Sequence, residues 1–196
     1  MRGLPMRRAL LLGAVLAALA GCLLGCGDDG DGSAVDKDAD VRVLNEILGR
    51  QLAAVDAYGQ VLPALRGADR AAAREFRAQE QEHADATTKT LRGLDGDADP
   101  PAETIEVGHL ATRRDALELL YVMESATIDA ELNAVGKLTI GWPRPLIASM
   151  AANQAQRLVL IRRALGAKPL EAIPEAFETG EIAAPGGQTT KEMAKP

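Results

Sequence analysis

Shifting the chain by 73 positions lays LGRQLAAVDAY (48–58) on YVMESATIDAE (121–131), pairing Ala53 with Ala126, Asp56 with Asp129 and Ala57 with Ala130. A shift of 74 lays Glu80-x-x-His83 on Gln154-x-x-Arg157. Within each half the spacing is nearly the same: Gln51 precedes Glu80 by 29 residues, and Glu124 precedes Gln154 by 30. A duplication of this kind narrows the choice of fold sharply. It asks for two similar helical hairpins facing each other about a pseudo-twofold axis.

Helical periodicity supports that reading in four segments. The first runs from about Asp38 to Leu62 and stops at Pro63. The second runs from about Asp69, read as its N-cap, to Leu91, with Gly93 just beyond. The third spans roughly Thr112 to Leu138, and the fourth starts near Pro145 and ends at Gly166, a suitable left-handed terminator. Short links join the first to the second and the third to the fourth, so each pair should form an antiparallel hairpin. Between the pairs lies RGLDGDADPPAETIEVGHLA (92–111), long enough to cross back along the bundle.

Each helix has an apolar stripe that turns polar near its middle. The stripes read Leu44, Leu48, Gln51, Val55, Tyr58, Leu62 on the first helix and Ala73, Phe76, Glu80, His83, Thr87, Leu91 on the second. They read Leu117, Leu120, Glu124, Ile128, Glu131, Val135, Leu138 on the third and Ile147, Met150, Gln154, Arg157, Ile161, Leu165 on the fourth. Burying polar groups without partners costs several kcal/mol each, so these groups are expected to meet one another. A register different by one turn would instead leave Glu80 and His83 in solvent.

In these helices, their crossover and their polar pairs, residues 40–166 resemble the ferritin-like superfamily, best known from bacterioferritins and rubrerythrins. The resemblance implies an all-α four-helix bundle of two antiparallel hairpins joined by a long crossover. It also implies a dimetal site, normally iron, built from Glu on helix one, Glu-x-x-His on helix two, Glu on helix three and Glu-x-x-His on helix four. Carried over singly, these positions are Gln51, then Glu80 and His83, then Glu124, then Gln154 and Arg157. Tyr58 matches a tyrosine that often supports such a site, whereas its repeat-mate Glu131 departs from the pattern.

Three of the six ligand positions are thus changed. Neutral Gln51 and Gln154 are poor ligands for a hard cation, and the Arg157 guanidinium cannot ligate a metal at all. Glu80, Glu124 and Arg157 sum to −1, or to 0 with His83 protonated, so the group nears neutrality without metal. The expectation is that Arg157 occupies the former metal position and bridges Glu80 and Glu124, with no cofactor and no catalysis. The alternative is a single Fe or Zn ion on Glu80, His83 and Glu124, with Arg157 swung outward, serving an oxidoreductase or iron-handling role.

The N-terminus carries export signals. MRGLPMRR (1–8) has three arginines and no acid, and ALLLGAVLAALA (9–20) is apolar but too short to span a bilayer. LAGC (19–22) resembles the lipobox of bacterial lipoproteins, which implies acylation of Cys22; Cys26 in LLGC is the alternative, and plain cleavage without lipid is the simpler one. The expected organisation is a signal peptide over 1–21, a flexible acidic tether over 22–39, the bundle over 40–166 and an extended, partly disordered tail over 167–196. Localisation would be the extracytoplasmic face of the cell membrane, through a lipid anchor. Partners would be the membrane itself and either a second copy, as a homodimer, or another envelope protein.

Several functions are excluded or left without support. Both cysteines, at 22 and 26, precede the bundle, so thiol catalysis and cysteine metal sites are absent from it. Removing the three leader arginines takes the formal charge from −6 to −9, which argues against nucleic acid and against a polybasic lipid patch. The Asp36/38/40 run and DGDADP (95–100) lack the glycine or glutamate of a calcium loop. Serines 33, 125 and 149 have no histidine with an acid behind it, so hydrolase chemistry has no support. His109 reads as a surface or capping residue, and Trp142 as a plug at the bundle end or a partner surface. An anchor and a long tail both oppose closure into a cage.

Overall fold

The computed structural model describes residues 35–108 and 110–174; Cys22, Cys26, His109 and the last 22 residues lie outside the described residues. Four helices follow one another: α1 Lys37–Val61, α2 Gly67–Gly93, α3 Arg113–Lys137 and α4 Arg144–Ala164, with a short 3-10 turn at Leu62–Ala64. The described residues form an all-α four-helix bundle. α1 packs mainly on α2 and α3 on α4, as two hairpins.

Local chemistry sets the helix ends. Asp36 caps α1 by accepting the Ala39 N–H at 2.8 Å, so structure begins inside the stretch assigned to the tether. α2 starts at Gly67 rather than after an Asp69 cap, because Gly67 takes φ +52° and turns the chain. Asp69 sits in the first turn, where a negative charge suits the helix dipole, and accepts from Arg113 of α3. Gly93 remains helical, and the left-handed terminator of α2 is Asp95 at φ 50°. There Asp95 N–H reaches Arg92 O at 3.0 Å and Gly96 N–H reaches Leu91 O at 2.9 Å. At the end of α4, Gly166 at φ +104° does the same job, with Ala167 N–H on Arg162 O at 3.0 Å. α3 opens on a capping box between Thr112 and Asp115.

The crossover climbs α1. The Asn45 side chain donates to Asp97 O at 3.0 Å and accepts Asp99 N–H at 2.9 Å. Gly49 lets Pro101 approach, since a Cβ there would stand 2.8 Å from the Pro101 carbonyl oxygen. Ile105, Val107 and Leu110 then pack on the far core. That core holds Tyr58, Val61, Leu65, Phe76, Leu117, Leu120, Leu158 and Ile161. A second apolar cluster holds Leu44, Ile47, Leu48, Leu91, Leu138, Ile147 and Met150 near the start of α1. Ala167 and Ala172 are buried beyond α4, and Arg162 donates to Ile173 O at 3.1 Å, so the segment after the bundle folds back on it as far as residue 174.

Asp40, from the acidic run, is fully buried and locks the α3–α4 loop. Its carboxylate accepts Thr139 N–H and Ile140 N–H, both at 2.7 Å, and the Thr139 hydroxyl at 3.2 Å. Asp40→Ala would leave those donors without a charged acceptor and should cost about 2–3 kcal/mol. The expected readout is a lower urea midpoint at unchanged slope. Asp38→Ala, at an exposed position two residues away, should change stability by no more than about 0.5 kcal/mol.

Candidate functional site

A polar layer separates the two apolar clusters. Gln51 comes from α1, Glu80 and His83 from α2, Glu124 and Glu131 from α3, and Gln154 and Arg157 from α4. Gln51, Glu131 and Gln154 are 0% exposed, Glu80 and Glu124 1%, and Arg157 2%. The His83 side chain keeps 15% exposure and forms the outer edge. A one-turn error of register, with Glu80 in solvent, is thereby ruled out.

Arg157 stands between the two glutamates. Its Nη1 lies 2.6 Å from Glu80 Oε1 and 3.1 Å from Glu124 Oε1. Nε donates to Asn153 Oδ1 at 3.1 Å, Nη2 is 3.4 Å from His83 Nδ1, and the guanidinium carbon lies 5.8 Å from the Phe76 ring centroid. Tyr58 donates its hydroxyl proton to Glu124 Oε1, bringing α1 into the network. Gln154 Nε2 donates to Glu80 Oε1 at 3.2 Å and to Glu131 Oε1 at 3.3 Å. Gln51 Nε2 donates to Met150 Sδ at 3.4 Å. Met150 and Phe76 belong to the apolar stripes, but their polar contacts are not visible there, and Asn153 lies outside the stripes altogether. Only Asn153 carries a local signal, four residues before Arg157 on the same helix face.

The three carboxyls respond to this layer differently. Burial would raise Glu80, but the His83 imidazole 3.7 Å away and the Arg157 charge outweigh it and hold the carboxyl below its ordinary range. Burial pushes Glu124 up to about 7, against the Arg157 charge and with the Glu80 charge adding to the push. Burial, and then the charges of Glu80 and Glu124, push Glu131 up to about 9. Burial and the Glu124 charge raise the Tyr58 hydroxyl, while the two glutamates more than offset the desolvation of Arg157 and raise it too. At neutral pH Glu131 therefore keeps its proton. The Gln51 and Gln154 carbonyl oxygens and the second oxygens of all three glutamates have no protein hydrogen-bond partner.

The chain matches the ferritin-like domain family over residues 38–167, most of its length. It belongs to that family. Among solved structures, a conserved hypothetical protein from Mycobacterium tuberculosis is similar to this ferritin-like chain at a TM-score of 0.61 and 18% identity, covering 66% of this chain and 99% of that one. A protein from Bacillus anthracis described as ferritin-like and diiron-carboxylate is similar at a TM-score of 0.54 and 20% identity, covering 66% and 97%. At such identities the likeness concerns the fold. No curated protein matches in sequence.

Members of this family can hold two metal ions among four carboxylates and two imidazoles. The donor set here does not fit that group. A permanent cation bridges Glu80 and Glu124, two positions are neutral amides, and one imidazole remains. Among the described residues no group of three or more His, Cys, Asp or Glu is arranged to hold a metal ion.

Two outcomes follow from this geometry. Arg157→Ala strands buried carboxylates and should cost about 3–5 kcal/mol, a fall in Tm on the order of 10 °C or more by calorimetry. Glu131 and Glu124 bind protons more tightly folded than unfolded, so their contribution is intact below the ordinary value of 4.5 and drains as pH rises toward about 9 and about 7. Glu80 has the opposite sign and weakens the fold as pH drops below that value. Stability should thus be greatest near pH 5. Glu131→Gln should flatten the alkaline decline, removing up to roughly 1 kcal/mol per pH unit, measured by urea unfolding from pH 5 to 9.

Proposed function

We propose that this ferritin-like chain is an exported, lipid-anchored protein of the cell envelope whose bundle holds its centre without metal and serves a binding or structural role rather than catalysis. The observation that carries the reading is the buried Arg157 guanidinium within hydrogen-bond distance of both Glu80 and Glu124. A fixed positive charge at that spot opposes any cation and supplies the charge neutralisation that metal would otherwise provide. The apolar segment 9–20 and LAGC at 19–22 support the anchor. Among the described residues no helix is long and apolar enough to cross a membrane, so attachment on this reading falls to Cys22, with Cys26 as the alternative.

A second reading draws on the unpartnered second oxygens of Glu80 and Glu124. With Arg157 displaced outward, they and His83 would offer one Fe or Zn ion two carboxylates and an imidazole, the chemistry of an oxidoreductase or an iron-handling protein. Metal analysis separates the two. Protein purified without chelator and mildly dialysed should contain far less than one metal per chain, and chelator should leave its Tm unchanged. The triple variant Gln51→Glu, Gln154→Glu, Arg157→His should take up iron. Stoichiometric metal in the unaltered protein would favour the second reading.

A further inference from the structure

One end of the bundle gathers the start of α1, the end of α2 and the α3–α4 loop. Asp36 N–H donates to Thr139 Oγ1 at 2.9 Å, and Lys37 Nζ pairs with Asp95 at 3.1 Å. The Trp142 ring edge lies over Gly93, where a Cβ would stand 3.1 Å from Cη2, so the glycine makes room for the ring. Two large apolar side chains open to solvent at this end: Val35 is 69% exposed and Trp142 54%. Trp142 is the chain's only tryptophan.

We propose that this end of the bundle rests on a lipid surface, with the Trp142 ring seated between headgroups and acyl chains. The inference rests on the lipid-anchor reading of Cys22. Which end faces the membrane follows from where the chain enters the bundle. Cys22 precedes Val35 by 13 residues. A random coil of that length has a root-mean-square reach of about 20 Å. α1, with 25 residues, rises about 37 Å. Leu170 and Ile173, 82% and 55% exposed, lie at the opposite end, about a helix length from Val35, where the chain enters the bundle.

Tryptophan suits this position because its ring is apolar while its N–H needs a polar partner, a combination met at the membrane–water boundary. Charge plays no part in the attraction. Exposed Asp36, Asp38 and Asp95 are offset at this end by exposed Lys37, Arg92, Lys137 and Arg144, so neither sign dominates and the contact is an apolar one. One ring is a weak anchor alone. Joined to an acylated Cys22, it meets the surface at an effective concentration in the millimolar range, and contact becomes intramolecular.

The sole tryptophan is its own reporter. Full-length lipidated protein is bound to phosphatidylcholine vesicles, a fraction of whose lipids carry bromine high on the acyl chain, and recovered by flotation. Trp142 emission should shift to the blue and be quenched by the brominated lipid, relative to the non-lipidated Cys22→Ser, Cys26→Ser chain. A reporter moved to the side of α4, Leu160→Trp with Trp142→Phe, should escape quenching; Leu160 is 55% exposed. If the lipidated chain floats but Trp142 emits as in water, the proposal is overturned while the anchor stands. Equal quenching of the Leu160→Trp reporter means the bundle lies on its side, which also overturns it. A lipidated chain that fails to float removes the anchor reading and this proposal with it.

Discussion

The bundle is organised around one buried cation. From α4, the Arg157 guanidinium reaches a carboxylate of α2 and another of α3, and Tyr58 ties α1 to the second of these. Taking a guanidinium and two carboxylates out of water is expensive, and their attraction does little more than repay it. Net stability comes mainly from the apolar clusters above and below. What the network adds is register. Its hydrogen bonds close only when all four helices stand at one height, because sliding α2, α3 or α4 by a turn would strand a charge in the core and sliding α1 would break the Tyr58 hydrogen bond.

Within this layer, three glutamates of identical chemistry occupy three different electrostatic states. Glu80 has Arg157, Gln154 and His83 around one oxygen and stays ionised. Glu124 shares the guanidinium and the Tyr58 proton but is more completely enclosed, and so sits near the balance point at neutral pH. Glu131 makes no ion pair with the guanidinium, accepts from the Gln154 amide, feels the charges of Glu80 and Glu124, and holds its proton. One guanidinium can neutralise one carboxylate well and a second in part. The third goes neutral by taking a proton, the ordinary response of a buried acid without a counter-charge. A metal-loaded family member solves the same charge problem with ions. Here an arginine stands between two of the carboxylates.

Much of this was legible in the chain. Apolar recurrence at 3.6 residues locates four helices, the 92–111 segment locates the crossover, and the polar breaks in four stripes fall at one level because the two hairpins repeat. Helix ends were read less well. Gly93 looks like a terminator, yet it stays in the helix to admit Trp142, and Asp95 bends instead. Asp69 looks like a cap, but its partner is Arg113, 44 residues away. Asp40 sits in an acidic run at the edge of the tether, yet it is buried against Thr139 and Ile140. In each case a contact distant in sequence overrides a local preference worth about 1 kcal/mol or less.

The sequence by itself determined which residues would share the bundle's mid-level and which of them could not ligate a metal. Periodicity and side-chain chemistry are local properties, written in residue type and spacing. Only the tertiary structure decided who binds whom: that Arg157 points inward to Glu80 and Glu124, that Gln51 turns to Met150, that Asn153 and Phe76 complete the guanidinium's surroundings. It also decided which carboxyl keeps its proton. Those outcomes depend on distance and enclosure between helices, and neither quantity exists until the four are packed.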